Sequence, residues 1–483
     1  MSAQLETILT TMDSKVNEML KLWNLPGVSV TLVQNGETIF SRAYGSRDIA
    51  ADLPMTTSTH LPIGSVTKSF TALALGMLCD EGKLDWDKPV CEYIPWLKLA
   101  DSVAEKNVTA RDLMCHRSGL AKYDAHAVFC TKDDRKAMVE ELQYLQSAAP
   151  FRSVLQYSNQ MVMLAGYLVE VLSGMSWEDF VQKRILDELG MADTSFYAEK
   201  LEEIEDHSRG YVFTGADYMQ TEYLPLRGVA PAGGIVSNAA DMEKYLKFQL
   251  GDGSWNGKGL VSTSQLQMMH TPQMDGTPYF WQLPEISEAR YGLGWFTDIY
   301  RGAPMVSHGG NTLGFSSLVT LLPEQNFGIS LLTNGNSNFM IYPLTYMILD
   351  AVLGFEDNSW NEKFQTTIGG IFAAMAEGQK AMAAMQIPGT SVTHPMEEYT
   401  GTFTHPAFGT LILQENSGQF SGTLNGFGAM MMHFHYDFFN LMLPTMGLSL
   451  PAQFGYGMDG KISFLDVTFE PTPGVAPVRF QKA

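Results

Sequence analysis

A tight turn that delivers a serine into a long helix, with a lysine one helical turn later, constrains this chain more than any other feature. The stretch is LPIGSVTKSFTALALGMLCDEGKL, beginning at Leu61. Gly64 lets the backbone bend sharply just before Ser65. Residues three apart share a helix face, so the side chains of Ser65 and Lys68 meet. The helix start also offers unpaired N–H groups and a positive dipole end, which favour a developing anion. A serine placed there with an amine in reach is arranged for nucleophilic attack.

Alone, that pair is a weak signal; two later elements strengthen it. Tyr157-Ser158-Asn159 opens a second helical stretch, QYSNQMVMLAGYLVEVLSG, and His308-Gly309-Gly310 lies in MVSHGGNTLGFSSLVTLLP, which reads as an edge strand entering a hairpin. Ser-x-x-Lys, then hydroxyl-x-Asn, then basic-x-Gly is the signature of penicillin-recognising serine enzymes. Over roughly residues 10–350 the chain resembles the class C β-lactamase, D-aminopeptidase and esterase group. The segments LPIGSVTKSFTALA, VTARDLMCHRSGL, YSNQMVMLAGYLVEVLSG, APAGGIVSNAADMEKYL, RYGLGW and SHGGNTLGFSS carry the likeness in family order.

The hydropathy pattern agrees. Residues 4–24 have apolar positions at helical spacing. Two strand-like runs then flank Asn35-Gly36, a hairpin turn signal. A mainly helical region follows to about residue 250, with Thr109 and Asp112 in capping-box spacing. RYGLGWFTDIY, MVSHGG, SSLVTLLP and FGISLLTN then supply further strands. Strands from both ends with helices between them predict an α+β domain over residues 1–353, an antiparallel sheet with a helical region packed on it. Residues 354–394 read as an Ala- and Met-rich helix and a linker, with a boundary near Pro395. Residues 395–483 are strand-like throughout, which predicts a small antiparallel barrel or sandwich. By pattern this tail resembles the lipocalin-like domain found on some members of the family.

Ser65 is expected to attack a carbonyl and form an acyl-enzyme. Lys68 is the nearest proton acceptor, and burial would lower its pKa. The resemblance adds Tyr157 as a relay coupled to Lys68, Asn159 as a hydrogen-bond partner of Lys68 and of the substrate amide, and an oxyanion hole from the backbone N–H groups of Ser65 and Asn311. His308 replaces the Lys of the β-lactamase Lys-Thr-Gly version; it is expected to titrate near neutral pH and to donate to a substrate carboxylate or to Tyr157. Gly309 and Gly310 would permit close approach of an acyl chain.

The implied activity is a serine hydrolase cleaving amide or ester bonds of a small-molecule or peptide acyl substrate, of the D-amino-acid peptidase or carboxylesterase type. An acyltransferase or peptide cyclase with the same nucleophile, a β-lactamase and a non-catalytic structural member are the alternatives. The net charge of −21 argues against a nucleic-acid partner. No apolar run reaches the roughly 18 residues of a membrane helix, so no membrane association is expected. Acidic residues interrupt MSAQLETILTTMDSKVNEML, which therefore does not read as a signal peptide. Cys79, Cys91, Cys115 and Cys130 match no CxxC pattern and read as reduced thiols. These features predict a cytoplasmic location. The oligomeric state stays open.

Two tempting motifs are set aside. His116 and Ser118 in CHRSGL look like a second Ser/His pair, but the stretch reads as a helix end with Gly119 as its cap. In HFHYD, strand alternation would put His433, His435 and Asp437 on one face. The histidine that would complete a metallohydrolase pattern is Phe438 instead. No metal and no cofactor are expected. The same strand, with Met430, Met431 and Met432, is expected to lie near the cleft, those methionines being barrel core in preference to cleft wall.

Overall fold

Helix α1 (Ala3–Leu22) starts where the Ser2 hydroxyl accepts the Leu5 N–H, and it buries Leu5, Met12, Val16, Met19 and Leu20 on one stripe. The computed structural model describes residues 2–130, 132–276, 283–336, 339–356 and 358–483. Strands β1 (Gly27–Gln34) and β2 (Glu37–Asp48) form the first hairpin. Asn35 and Gly36 both have positive φ, at 52° and 78°, as a tight two-residue hairpin turn requires. The intervening region is mainly helical, and its longest α-helices are α2 (Thr67–Asp80), α3 (Asn159–Ser173) and α4 (Ala239–Gln249). The chain then returns to the sheet with β3 (Phe296–Tyr300), β4 (Ala303–Thr312), β5 (Phe315–Leu322) and β6 (Phe327–Thr333).

The two ends of the domain meet in the middle of the sheet. β1 pairs antiparallel with β6, from Val28 opposite Thr333 to Gln34 opposite Phe327, so the order runs β3-β4-β5-β6-β1-β2 with short strands at either edge. Both faces are covered, which is why β1, β5 and β6 are buried almost throughout. Val28, Val30 and Leu32 pack towards α1 and α5 (Ile341–Leu353), while Val33, Val319 and Leu332 pack with α2 and α4. Residues Thr67 to Leu78 of α2 are all buried, so this helix is the spine of the domain.

Helix α6 (Trp360–Ala384) anchors on α5 through Trp360, Phe364 and Ile368. Beyond it, eight strands form a closed barrel: β7 (Gly401–His405), β8 (Gly409–Asn416), β9 (Gln419–Leu424), β10 (Phe427–His435), β11 (Phe438–Leu443), β12 (Leu448–Tyr456), β13 (Ile462–Val467) and β14 (Val478–Lys482). β14 closes on β7, Phe403 opposite Lys482. Closure removes exposed strand edges. Packed rings fill the interior, with Tyr399 and Phe439 standing 5.0 and 5.3 Å from Phe454. The barrel seats on the helix Asp124–Phe129, where Phe129 meets Phe427 at 5.1 Å and Tyr123 meets Phe408 at 5.9 Å.

The barrel corrects the reading of HFHYD. A register shift between His433 and His435 and a left-handed Tyr436 (φ 47°) end β10, so alternation does not carry across to Asp437. His433 Nε2 lies 2.9 Å from the Tyr436 carbonyl, and Asp437 accepts from Thr393 and Tyr399. Of the methionines, Met431 is barrel core, whereas Met430 and Met432 are exposed. The barrel residue that lines the cleft is Met446, in the turn Pro444–Met446, not a residue of β10.

Candidate active site

Ser65 sits in the single turn Gly64–Val66 that leads into α2. The preceding residue is fixed from both sides: Ile63 N–H donates to the Ile235 carbonyl (3.0 Å), and the Ile63 carbonyl accepts from Ser317 Oγ (2.7 Å). Gly64 has φ of +50°, and a β-carbon there would stand 2.9 Å from the Asn311 nitrogen. At Gly310 a β-carbon would stand 1.9 Å from the Ile63 carbonyl oxygen. The need for glycine at 310 therefore comes from the chain's own turn packed against β4. Gly309 is the glycine of this pair that lines the cleft.

Lys68 is wholly buried one turn further on. Its Nζ lies 2.9 Å from Ser65 Oγ, 2.7 Å from Asn159 Oδ1 and 2.7 Å from the Ala232 carbonyl. Burial holds its pKa well below that of a free lysine; Asp124 opposes this and Lys122 reinforces it. A neutral amine has two N–H bonds, and two fixed acceptors take them. The lone pair is then left for the Ser65 hydroxyl.

Tyr157 and Asn159 arrive together at the start of α3, where Ser158 caps the helix by accepting the Met161 N–H. Lys68 Nζ lies 4.8 Å from the centroid of the Tyr157 ring. Asn159 is a bridge: its Oδ1 faces Lys68, and its Nδ2 donates to Asp124 Oδ1 at 3.2 Å. The other oxygen of Asp124 pairs with Lys122 at 2.9 Å.

His308 behaves differently from the sequence expectation. It is 1% exposed, its Nε2 lies 2.9 Å from the Tyr291 hydroxyl and its Nδ1 lies 2.6 Å from the Gly309 carbonyl. Burial, reinforced by Lys68, pushes its pKa down to about 3, so the imidazole is neutral at neutral pH. Nδ1–H then donates to the carbonyl, and Nε2 accepts from Tyr291.

His116 is also corrected. The helix Ala110–Met114 is ended by His116 itself in the left-handed region (φ 58°), before Gly119. Its ring packs 4.2 Å from that of Tyr157, and its Nδ1 accepts the Ser158 N–H at 3.2 Å. It thus supports the start of α3. Burial and Lys68 keep it neutral.

Ser65, Tyr157, Asn159, His308, Gly309 and Asn311 line one cleft of about 480 Å³. Leu224, Leu226, Val229, Leu313 and Val128 give it an apolar wall, to which the barrel adds Met446. Sequence reasoning did not single out Lys122, Asp124, Tyr291 or Met446. Tyr291 lay within the quoted RYGLGW; no local pattern marks the other three.

Comparison with known proteins shows the family. The family model for beta-lactamase matches residues 12–351. The chain belongs to the beta-lactamase family. A second model, a domain of unknown function (DUF3471), matches residues 386–482. An unguisins hydrolase of Aspergillus campestris is 27% identical over 97% of this chain and 90% of its own length. One from Aspergillus violaceofuscus is 26% identical over 96% of this chain and 88% of its own. Among solved structures, an octameric penicillin-binding protein homologue from Pyrococcus abyssi covers 98% of this beta-lactamase-family chain and 100% of its own, with a TM-score of 0.64 at 22% identity. Among the described residues no helix is long and apolar enough to cross a membrane, and all four cysteines are free.

Proposed function

We propose that this protein is a serine hydrolase that cleaves an amide or ester bond through an acyl-enzyme at Ser65. The observation that carries the reading is the buried Lys68 amine, held by Asn159 and Ala232 with Ser65 Oγ at 2.9 Å. Ser65 Oγ bonds to the substrate carbonyl carbon while its proton passes to Lys68, with Tyr157 as a coupled relay. The backbone N–H groups of Ser65 and Asn311 hold the oxyanion. Collapse breaks the C–N or C–O bond, and the leaving amine or alcohol takes the proton. Water then attacks the acyl-enzyme; the same pair accepts its proton and returns one to Ser65, releasing the acid.

The names of the two fungal relatives, both hydrolases of unguisins, favour hydrolysis, and the apolar wall favours an apolar acyl group. Neutral His308 acts in this scheme as a fixed polar wall of the cleft. The four separate thiols fit a reducing compartment, and we place the protein in the cytoplasm. The test is labelling with a fluorophosphonate followed by peptide mapping. An adduct on Ser65, absent from Ser65→Ala, is expected; an adduct only elsewhere overturns the assignment. Product analysis with added amines separates hydrolysis from acyl transfer: free acid is the expected product, and amide formed from the added amine would reassign the second step.

A further inference from the structure

The barrel reaches the catalytic machinery through a buried carboxylate that no motif announces. Glu470 lies just beyond β13 and is 9% exposed. Its Oε2 accepts the backbone N–H groups of Lys122 (3.1 Å) and Tyr123 (3.3 Å). Its Oε1 accepts both the N–H and the hydroxyl of Thr472. A buried carboxylate is tolerated when its lone pairs are met, and backbone N–H groups meet these.

The segment it grips is not one that holds itself. Tyr123 is in the left-handed region (φ 42°), where a bulky residue is strained unless its surroundings fix it. Glu470 holds its N–H, Gln160 of α3 donates to its carbonyl at 2.7 Å, and its ring packs on Phe408 of the barrel. The helix Asp124–Phe129 begins immediately afterwards, and the barrel pins its far end as well: Asn425 Nδ2 donates to the Phe129 carbonyl at 2.9 Å. Asp124 is the residue that orients Asn159, which in turn orients Lys68.

We propose that Glu470 is a positioning residue for the acylation step: the barrel's carboxylate fixes the Lys122-Tyr123 turn, which holds Asp124 on Asn159 and so aims the Lys68 amine at Ser65. This rests on the reading of Ser65 and Lys68 given above. It assigns the C-terminal domain a part in the chemistry, although the hydrogen bonds of Lys68 and Ser65 run to Asn159, Ala232 and each other and not to the barrel. A small displacement of Asp124 lets the Asn159 amide turn, and the amine then loses one of the two acceptors that define its direction. Misplacement of a catalytic group by about 1 Å costs up to roughly a hundred-fold in rate.

The experiment measures the rate of Ser65 labelling by a fluorophosphonate, together with kcat and KM on p-nitrophenyl acetate, in the full-length protein. Glu470→Ala is expected to lower the labelling rate and kcat by roughly ten- to a hundred-fold, with KM for this small ester little changed. Glu470→Gln, which keeps one acceptor for the turn, should recover most of the rate. Arg479→Ala breaks an exposed barrel ion pair with Asp466 that makes no hydrogen bond to the turn and serves as the stability control, with unchanged rates expected. A folded Glu470→Ala protein that labels at the wild-type rate overturns the proposal, as does an equal loss in Arg479→Ala. Should Glu470→Ala fail to fold, Thr472→Val decides: it removes the hydroxyl, one of the two donors that hold the other carboxylate oxygen, a partial loss of rate supports the proposal, and a wild-type rate overturns it. Absence of a Ser65 adduct in the wild-type protein sinks the hydrolase reading itself, a result distinct from each of these.

Discussion

Ile63 and Gly310 are in such close contact that a single β-carbon on Gly310 would stand 1.9 Å from the Ile63 carbonyl oxygen. The turn that carries Ser65 and the strand facing it are therefore one packed unit. Gly310→Ala should push β4 away from the turn that carries Ser65. We expect destabilisation of about 1–3 kcal/mol, as for other overpacked sites, and a larger loss in Ser65 labelling than that destabilisation explains. Thermal unfolding and labelling rates on the same preparation test this; a variant with wild-type labelling would separate the strand from the oxyanion site.

Ser65→Ala removes one hydroxyl from a half-buried position and adds no bulk. It should fold normally and form no acyl adduct by mass spectrometry. Lys68→Ala and Tyr157→Phe should each lower kcat by several orders of magnitude, and the double variant little further, because groups acting as one unit are non-additive. Multiplied losses would show two independent roles.

His308 predicts a pH dependence of stability. Its folded pKa, about 3, lies below the ordinary value of 6.5, and the partly buried His405 falls to about 4. Between these values and 6.5 each of these two imidazoles is protonated in the unfolded chain and neutral in the folded one, so their contribution to stability rises with pH through that window. It should be fully present above about 6.5 and fall by a few kcal/mol on acidification towards pH 4. Denaturant melts at a series of pH values check the slope, and His308→Asn should reduce it, leaving the share of the other desolvated histidines. Activity, by contrast, should show no limb that vanishes in His308→Asn.

Met446 is the barrel's direct contribution to the cleft wall. Met446→Trp should narrow the apolar side and raise KM for bulky acyl substrates, leaving p-nitrophenyl acetate turnover within about two- to three-fold, because an acetyl group needs little of the apolar wall. A panel of esters of increasing acyl size measures it. Uniform loss across the panel would mean that the residue acts on the chemistry.

The divergent positions of His433, His435 and Asp437 predict that chelators leave activity unchanged, and that His433→Ala with His435→Ala has no effect on turnover. Loss in EDTA with recovery on added zinc would contradict this.

Sequence alone determined what depends on neighbours along the chain. Ser65 and Lys68 share a helix face because they are three residues apart, and the Thr109-Asp112 capping box forms because both its partners lie within one turn. The Asn35-Gly36 hairpin follows from two residues that tolerate positive φ. Strand-like runs separated by turn residues predicted a small antiparallel barrel or sandwich, and closure of β14 on β7 decided for the barrel. The tertiary structure decided what depends on distant atoms. Whether His308 carries a charge is set by how completely it is desolvated and by an amine brought near from another helix, and neither is visible in SHGG. HFHYD lost its single face to a bulge and a left-handed Tyr436, since register is fixed by the partner strand. Most tellingly, Glu470 meets the N–H of Lys122 across 348 residues. A lone glutamate after a strand has no pattern to mark it. Its role exists only because two domains pack together and leave one buried carboxylate facing two backbone N–H groups.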